Sequence, residues 1–183
     1  FNSVVFNNVK LPRNRLVGEK NQGWYVTMTH LSAERSGIRS HVPAQQLYEE
    51  LLGFVQAQAT ADGYDPVAVN PELRHKMAEM AIELQCSRLL SYRVGWIQSS
   101  GQVAGYPSSL SKLFSTELTQ RLVDLAMEVL GMYSQLGDGT ASLLHGKIQK
   151  LYLGQRAITI GAGTSEIQRN IIARRGLGLG RRS

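Results

Sequence analysis

The spacing of apolar residues changes character along the chain, and each change marks an element. Over the first eleven residues, FNSVVFNNVKL, apolar side chains fall at Phe1, Val4, Phe6, Val9 and Leu11 in rough alternation, and Pro12 ends the run. That pattern predicts one strand. A single strand cannot make a sheet, so it is expected to pair with a part of the protein outside this chain or to pack alone as an arm. From Gly23 the period becomes helical. Trp24, Val26, Met28, Leu31, Ile38, Val42, Leu47, Leu51, Leu52, Phe54 and Val55 predict a long first helix, bent near Pro43. The stretch ADGYDPVAVNP, 61–71, is a turn cluster with two prolines. A second helix follows from Glu72 to about Ser99, with Leu73, Met77, Met80 and Leu84 on one stripe. SSGQVAGYP, 99–107, breaks it. The third helix is the most regular, carrying Leu110, Leu113, Phe114, Leu118, Leu122, Leu125 and Val129 at helical spacing. GMYSQLGDG, 131–139, predicts a loop, Thr140 to about Ile160 a fourth helix, and Ser165 to Gly176 a short fifth.

Long amphipathic helices joined by Gly/Pro loops predict an all-α protein, a four-helix up-and-down bundle preceded by the one strand. On the first helix the apolar residues cover more than one stripe, which predicts burial on two sides and a second chain, identical or different, against it.

With 183 residues the chain is long enough for one domain and its core. Hydrophobic residues at 43% and charged residues at 19% predict a soluble globular protein, and no apolar run is long enough to predict a membrane span. Phe1 opens mid-pattern with no basic start, so no secretory leader is expected. The single cysteine, Cys86, excludes a disulfide framework and fits a reducing cytoplasm. It sits inside the helical run MAIELQCSRLL and is expected to be a small core residue rather than a nucleophile. His30, His41, His75 and His145 are scattered without ligand spacing, so no metal site is expected.

The net charge of +6 suits anionic partners, including a phosphate-bearing cofactor. Arg174, Arg175, Arg181 and Arg182 cluster near the C-terminus, where a solvated tail accounts for them equally well. No basic block is interleaved with aromatics, so nucleic acid is not an expected partner. The one stretch that suggests a ligand is GAGTSEIQ, 161–168. Gly161 and Gly163 let a backbone approach closely. Thr164 and Ser165 are both helix-capping types, and Ser165 with Gln168 has the spacing of a capping box. The first N–H groups of such a helix can hold an anion, although most turns of this kind only connect helices.

The run GTSEIQRNIIARRGLGL resembles the C-terminal signature of the acyl-CoA dehydrogenases. LVGEKNQGWYVTMTHLSAERSGI, 16–38, is similar to the segment joining that family's middle β-domain to its C-terminal helical domain. SVVFNNVKLPRNRLVGE resembles the end of the β-domain, and AMEVLGMYSQLGDG stands where the family usually has a Gln and then a Gly-Gly pair. The resemblance implies that 1–21 are the end of the β-domain and a linker, that 22–183 are the C-terminal helical domain, and that the chain is the C-terminal part of a longer protein. It implies FAD as cofactor, an acyl-CoA substrate oxidised to its 2,3-enoyl product, an electron-transfer acceptor, and assembly into dimers or tetramers.

In many members the base that takes the α-proton is a Glu directly before the Gly-Thr of the C-terminal turn; here that position is Ala162. A second placement in the family is a Glu directly before an Arg on the first helix, which matches Glu34-Arg35. The resemblance therefore implies Glu34 as base and Arg35 toward the CoA end of the substrate. The small Ala162 leaves space beside it, and Arg174 matches a basic position on the substrate side. Thr164, Glu166 and Gly163 match positions against the flavin dinucleotide. Ser32 stands where an Asp is frequent. No Arg-x-x-Phe-Gly segment occurs near PAQQLYEELLGFVQ, and Glu128 and Met132 replace the usual Gln and second Gly. These departures put the inter-subunit half of the flavin site in doubt. They resemble actinobacterial-type members, some of which work as heteromeric pairs on bulky acyl-CoAs such as steroid side-chain thioesters. A non-catalytic subunit of such a pair is the alternative reading.

Overall fold

The structure, a computed structural model, describes residues 2–34, 38–61, 67, 70–140 and 142–180, with the side chains of 32–34, 38–40 and 60–61 outside that description. Its helices are α1 (Gly23–Glu34), α2 (Ile38–Ala61), α3 (Pro71–Ser99), α4 (Gly105–Leu130), α5 (Lys147–Gln155) and α6 (Ser165–Ile171), and α6 runs on into a π-helical turn, Ile172–Gly176. Short 3-10 turns lie at Arg13–Arg15, Gly131–Gln135 and Leu143–Gly146. No described helix is long and apolar enough to cross a membrane.

The antiparallel pair α3 and α4 forms the centre. Their cross-contacts retreat along one helix as they advance along the other: Ser87 meets Ser115 at 2.9 Å, and Ser91 meets Ser111 at 3.5 Å. α3 starts cleanly because Asn70 accepts from the N–H groups of Glu72 (3.0 Å) and Leu73 (3.4 Å), with Pro71 in the first helical position. α2 packs on both central helices, and α5 and α6 pack on α4. Leu51 of α2, Leu84 of α3, Leu118 and Leu122 of α4 and Ile148 of α5 are fully buried and join one core. Each such side chain contributes on the order of 1.5–3 kcal/mol.

One half of α4 inverts the expected pattern. Over its first three turns the buried residues are Ser108, Ser109, Ser111, Lys112, Ser115 and Thr116, while Leu110, Leu113 and Phe114 are only half-buried. Most of these hydroxyls are satisfied at short range. Ser111 and Ser115 pair with Ser91 and Ser87 of α3, Thr116 donates to the Lys112 carbonyl at 2.9 Å, and the buried Oγ of Ser108 has no partner.

Several expectations are corrected. Residues 2–11 form no strand, and no strand occurs among the described residues: Val4, Val5 and Phe6 are exposed, with no neighbouring strand to take their N–H and C=O groups. The expected long first helix is described as α1 and α2, and residues 35–37 between them lie outside the described residues. Pro43 lies inside α2, past its first described turn, where it withholds one helical N–H donor. The fourth helix begins at Lys147 rather than near Thr140, because Leu144, His145 and Gly146 all take positive φ, and it ends at Gln155. Cys86 is exposed, not core, because the buried stripe of α3 runs through Leu84, Ser87 and Ser91 on the other side of the helix. α1 has Val26, Met28 and Leu31 half-buried, while Trp24 and Tyr25 are open to solvent.

Candidate active site

After α5 the chain continues in tight turns to Gly163, with backbone bonds from Ile160 and Gly161 N–H to the Ala157 carbonyl, both 3.1 Å. Ala162 (φ +55°) and Gly163 (φ +95°) then take left-handed conformations. For an alanine this costs on the order of 1 kcal/mol, so the turn must be held from outside. Thr164 is extended, and its hydroxyl accepts from the Ile167 N–H at 3.3 Å, capping α6. The expected capping box through Ser165 is thus displaced by one residue. Ser165 is already helical, and its buried Oγ has no hydrogen-bond partner. Gln168 does not reach toward the Ser165 N–H; its fully buried side chain donates instead to the carbonyls of Ala162 (3.1 Å) and Gly163 (3.2 Å). A Cβ on Gly163 would stand 2.7 Å from Gln168 Nε2, so glycine there serves both its own φ and that amide.

One stripe of α4 holds this segment. Lys112, only 6% exposed, donates from Nζ to the carbonyls of Gly163 (2.8 Å) and Thr159 (3.2 Å). Two turns on, Gln120 donates to the Gln155 carbonyl (3.1 Å) and Thr159 Oγ1 (3.2 Å). Glu117 pairs with Arg169 at 2.8 Å, and Asp124 pairs with Arg156, whose guanidinium also lies 4.4 Å over the Tyr152 ring. Between α4 and the turn is a cleft of about 410 Å³ lined by Glu117, Gln120, Asp124, Thr164, Glu166 and Arg169. Glu166 is held below the usual carboxylate range first by its own backbone N–H, then by the Thr164 hydroxyl, with Arg169 and Lys112 adding positive charge.

A larger cleft of about 630 Å³ runs between α3 and α4 and shares Glu117, Arg121 and Asp124 with the first. Glu79, Glu83 and Glu128 make it acidic, against Lys76 and Arg121. Glu128 is bound by Lys76 at 2.8 Å, and this hydrogen bond, with Glu72 on the other side, raises the Lys76 ammonium above its usual range.

Of the residues singled out in the sequence, Ala162, Gly163, Thr164 and Glu166 stand together on the turn and its cap. Ala162 and Glu166 are exposed; Gly163 and Thr164 are half-buried. Arg174 is exposed and lies ten residues past the cap, roughly 15 Å along the helix at 1.5 Å per residue. Glu34 is the last residue of α1, with its side chain outside the description, and Arg35 lies outside the described residues. Lys112, Gln120 and the true role of Gln168 escaped the sequence reading. The available signal was a lysine within the serine run SSLSKLFS, where a charge next to small polar residues marks a helix face packed too closely for long apolar side chains.

The sequence model described as "Acyl-CoA dehydrogenase, C-terminal domain" matches residues 21–177. The chain is 34% identical over 184 residues to "Acyl-CoA dehydrogenase IpdE1" of Mycobacterium tuberculosis, covering 99% of this chain and 44% of that protein. Among solved structures it is similar to "Tcur3481-Tcur3483 steroid ACAD", with a TM-score of 0.82 and 25% identity over 97% of this chain and 45% of that one. It is also similar to a chain of the ChsE4-ChsE5 complex of Mycobacterium tuberculosis, with a TM-score of 0.79 and 28% identity over 94% of this chain and 44% of that one. The chain spans a little under half the length of the curated relatives it matches.

Proposed function

The chain belongs to the acyl-CoA dehydrogenase family, and on that premise we propose that it is the C-terminal part of an enzyme that introduces a 2,3-double bond into an acyl-CoA thioester, with Glu34 as the α-proton base. The observation that carries this reading is the methyl group of Ala162 on the lip of the turn, where no proton acceptor stands. The α-proton of a thioester is weakly acidic, so its removal needs a carboxylate close by and partly shielded from water. Glu34, the last described residue of α1, is the candidate that the family pattern leaves. Arg35 then offers a planar fork of donors to phosphate or carboxylate at the CoA end, with Arg174 as a further basic residue on the substrate side.

When bound, FAD supplies acceptance of the hydride from the β-carbon. The turn fits such a group. Its backbone is exposed at Gly161 and Ala162, the hydroxyl of Ser165 is buried without a partner, and no side chain projects from Gly163. Thr164, Glu166 and Gly163 are the residues that would hold it. The exposed apolar residues of 2–17 support the division at about 21, since Val4, Val5, Phe6 and Val17 suit a segment covered by a β-domain in the complete protein. The partners proposed are an acyl-CoA, an electron-transfer acceptor and a second subunit, identical or different.

The acidic cleft favours one alternative. Where the family usually offers a Gln, Glu128 stands tied to Lys76 among further carboxylates, an unfavourable surface for the anionic diphosphate of a neighbouring flavin. A subunit that stabilises a different partner without turning over substrate accounts for this, and the ChsE4-ChsE5 neighbour is named as a complex of two chains. The test is anaerobic addition of an acyl-CoA panel, including bulky steroid-derived thioesters, to the purified complete protein with any co-purifying partner. Bleaching of the flavin absorbance supports the enzyme; a protein that binds no flavin alone yet raises the flavin content of its partner supports the alternative.

A further inference from the structure

We propose that Lys112 is a positioning residue for the active-site turn: its buried ammonium, donating to the carbonyls of Thr159 and Gly163, sets where Ala162 and the cap Thr164 stand. The inference rests on the reading of this turn as lining the flavin and acyl-CoA site.

The turn cannot set its own geometry. Gly161 and Gly163 carry no side chain, and Ala162 is held in a conformation that alanine disfavours. Its position is therefore decided by the groups that bind its carbonyls. Four side chains on one stripe of α4 reach this segment, and they differ in strength. The Glu117–Arg169 and Asp124–Arg156 pairs are substantially exposed and screened by water. Gln120 binds at Gln155 and Thr159, upstream of the glycines. Lys112 alone is both charged and buried, and it binds the two ends of the turn at once. A buried ammonium is tolerated only where its donors are matched, so the lysine and the carbonyls constrain each other. The Gly163 carbonyl, which also accepts from Gln168, is fixed from both α4 and α6. It immediately precedes the N–H of Thr164, whose cap starts α6. A shift of this carbonyl moves the residue next to the substrate and the residues proposed to hold the flavin.

The experiment compares the complete protein with its Lys112→Met and Lys112→Arg variants, and with Lys147→Met, which removes a distant surface ion pair to Glu50. Two quantities are read: the rate of flavin bleaching at saturating acyl-CoA, and amide hydrogen exchange at 161–164 relative to the α3–α4 core. Expected for Lys112→Met is a loss on the order of ten- to a hundredfold in rate, with flavin retained and exchange accelerated at the turn alone. Lys112→Arg should recover part of both, and Lys147→Met should change neither. Wild-type rate and exchange in Lys112→Met would overturn the proposal. So would exchange that rises uniformly across α3 and α4, since Lys112 would then stabilise only the bundle. If Lys112→Met does not fold, Lys112→Gln takes its place under the same criteria. If wild-type flavin is not bleached by any acyl-CoA, the functional reading fails, while the exchange comparison still decides whether Lys112 holds the turn.

Discussion

Two glycine turns flank α5 and are held in opposite ways. Before the helix, Gly146 (φ +66°) packs backbone against backbone: a Cβ there would fall inside the carbonyl group of Gly137. After it, a Cβ on Gly163 would crowd the movable tip of Gln168 and meet Ile167 at ordinary contact, and the turn is held by side chains, Lys112 and Gln120 from α4 and Gln168 from α6. The first turn is fixed by exclusion and has no adjustable part. The second is fixed by donors whose removal leaves a chain that can still fold but stands elsewhere. A site that must place a ligand to within a fraction of an ångström gains from the second arrangement, because each donor tunes position without rebuilding the core.

The sharpest way to break this contrast is Gly146→Ala. Both the φ and the backbone contact forbid it, so the expected loss is about 4 kcal/mol or failure to fold, read by urea denaturation. Gly163→Ala should be milder, about 1–3 kcal/mol, because Gln168 can swing aside; if it proves as damaging as Gly146→Ala, the two turns are not different in kind. Ala162→Gly should stabilise by about 0.5–1 kcal/mol, since the left-handed strain is relieved while the three clamping side chains remain. A destabilised Ala162→Gly variant would mean that the methyl group packs against something the turn needs.

The bundle carries a pH dependence of its own through His41. His41 of α2 is buried, and its Nδ1 has no hydrogen-bond partner. Burial first, and then the Arg88 charge, hold its pKa below the ordinary value of 6.5. The unfolded chain therefore binds the proton more readily than the folded one. The stability is fully present above pH 6.5 and declines as pH falls from there to the lowered folded value. Thermal denaturation between pH 7.5 and 5 should show this decline in the wild type, and a flatter profile in His41→Phe.

The extents of α3 and α4 were legible because helical spacing is bounded by Pro71 at the start of α3, by SSGQVAGYP between them and by Gly131 after α4, although the first turns of α4 bury serines in place of the expected leucines. The fold failed to show in the sequence where tertiary contact overrides local preference. Residues 140–146 have helix-compatible composition, yet Gly146 is needed against Gly137, and α5 cannot begin until that contact is made. Cys86 looked like core because the run around it is apolar, but Ile82, Leu89 and Trp96 on that side of α3 are also exposed. The site was half legible. Thr164 and the glycines announce a capped turn, whereas Lys112 lies more than forty residues upstream and meets the turn only because α4 packs antiparallel to it. No local pattern carries that information. Nor could spacing reveal that Gln168 binds loop carbonyls instead of closing a capping box, since both readings use the same residue at the same position.

The measurement closest to the central claim is anaerobic flavin bleaching by acyl-CoA in the complete protein and in its Glu34→Gln variant, with flavin occupancy measured in both. Bleaching is expected in the wild type and is expected to be lost, by about three orders of magnitude or about 4 kcal/mol of barrier, in a variant that still binds flavin. Equal bleaching in the two proteins would contradict it and place the base on another residue or another subunit.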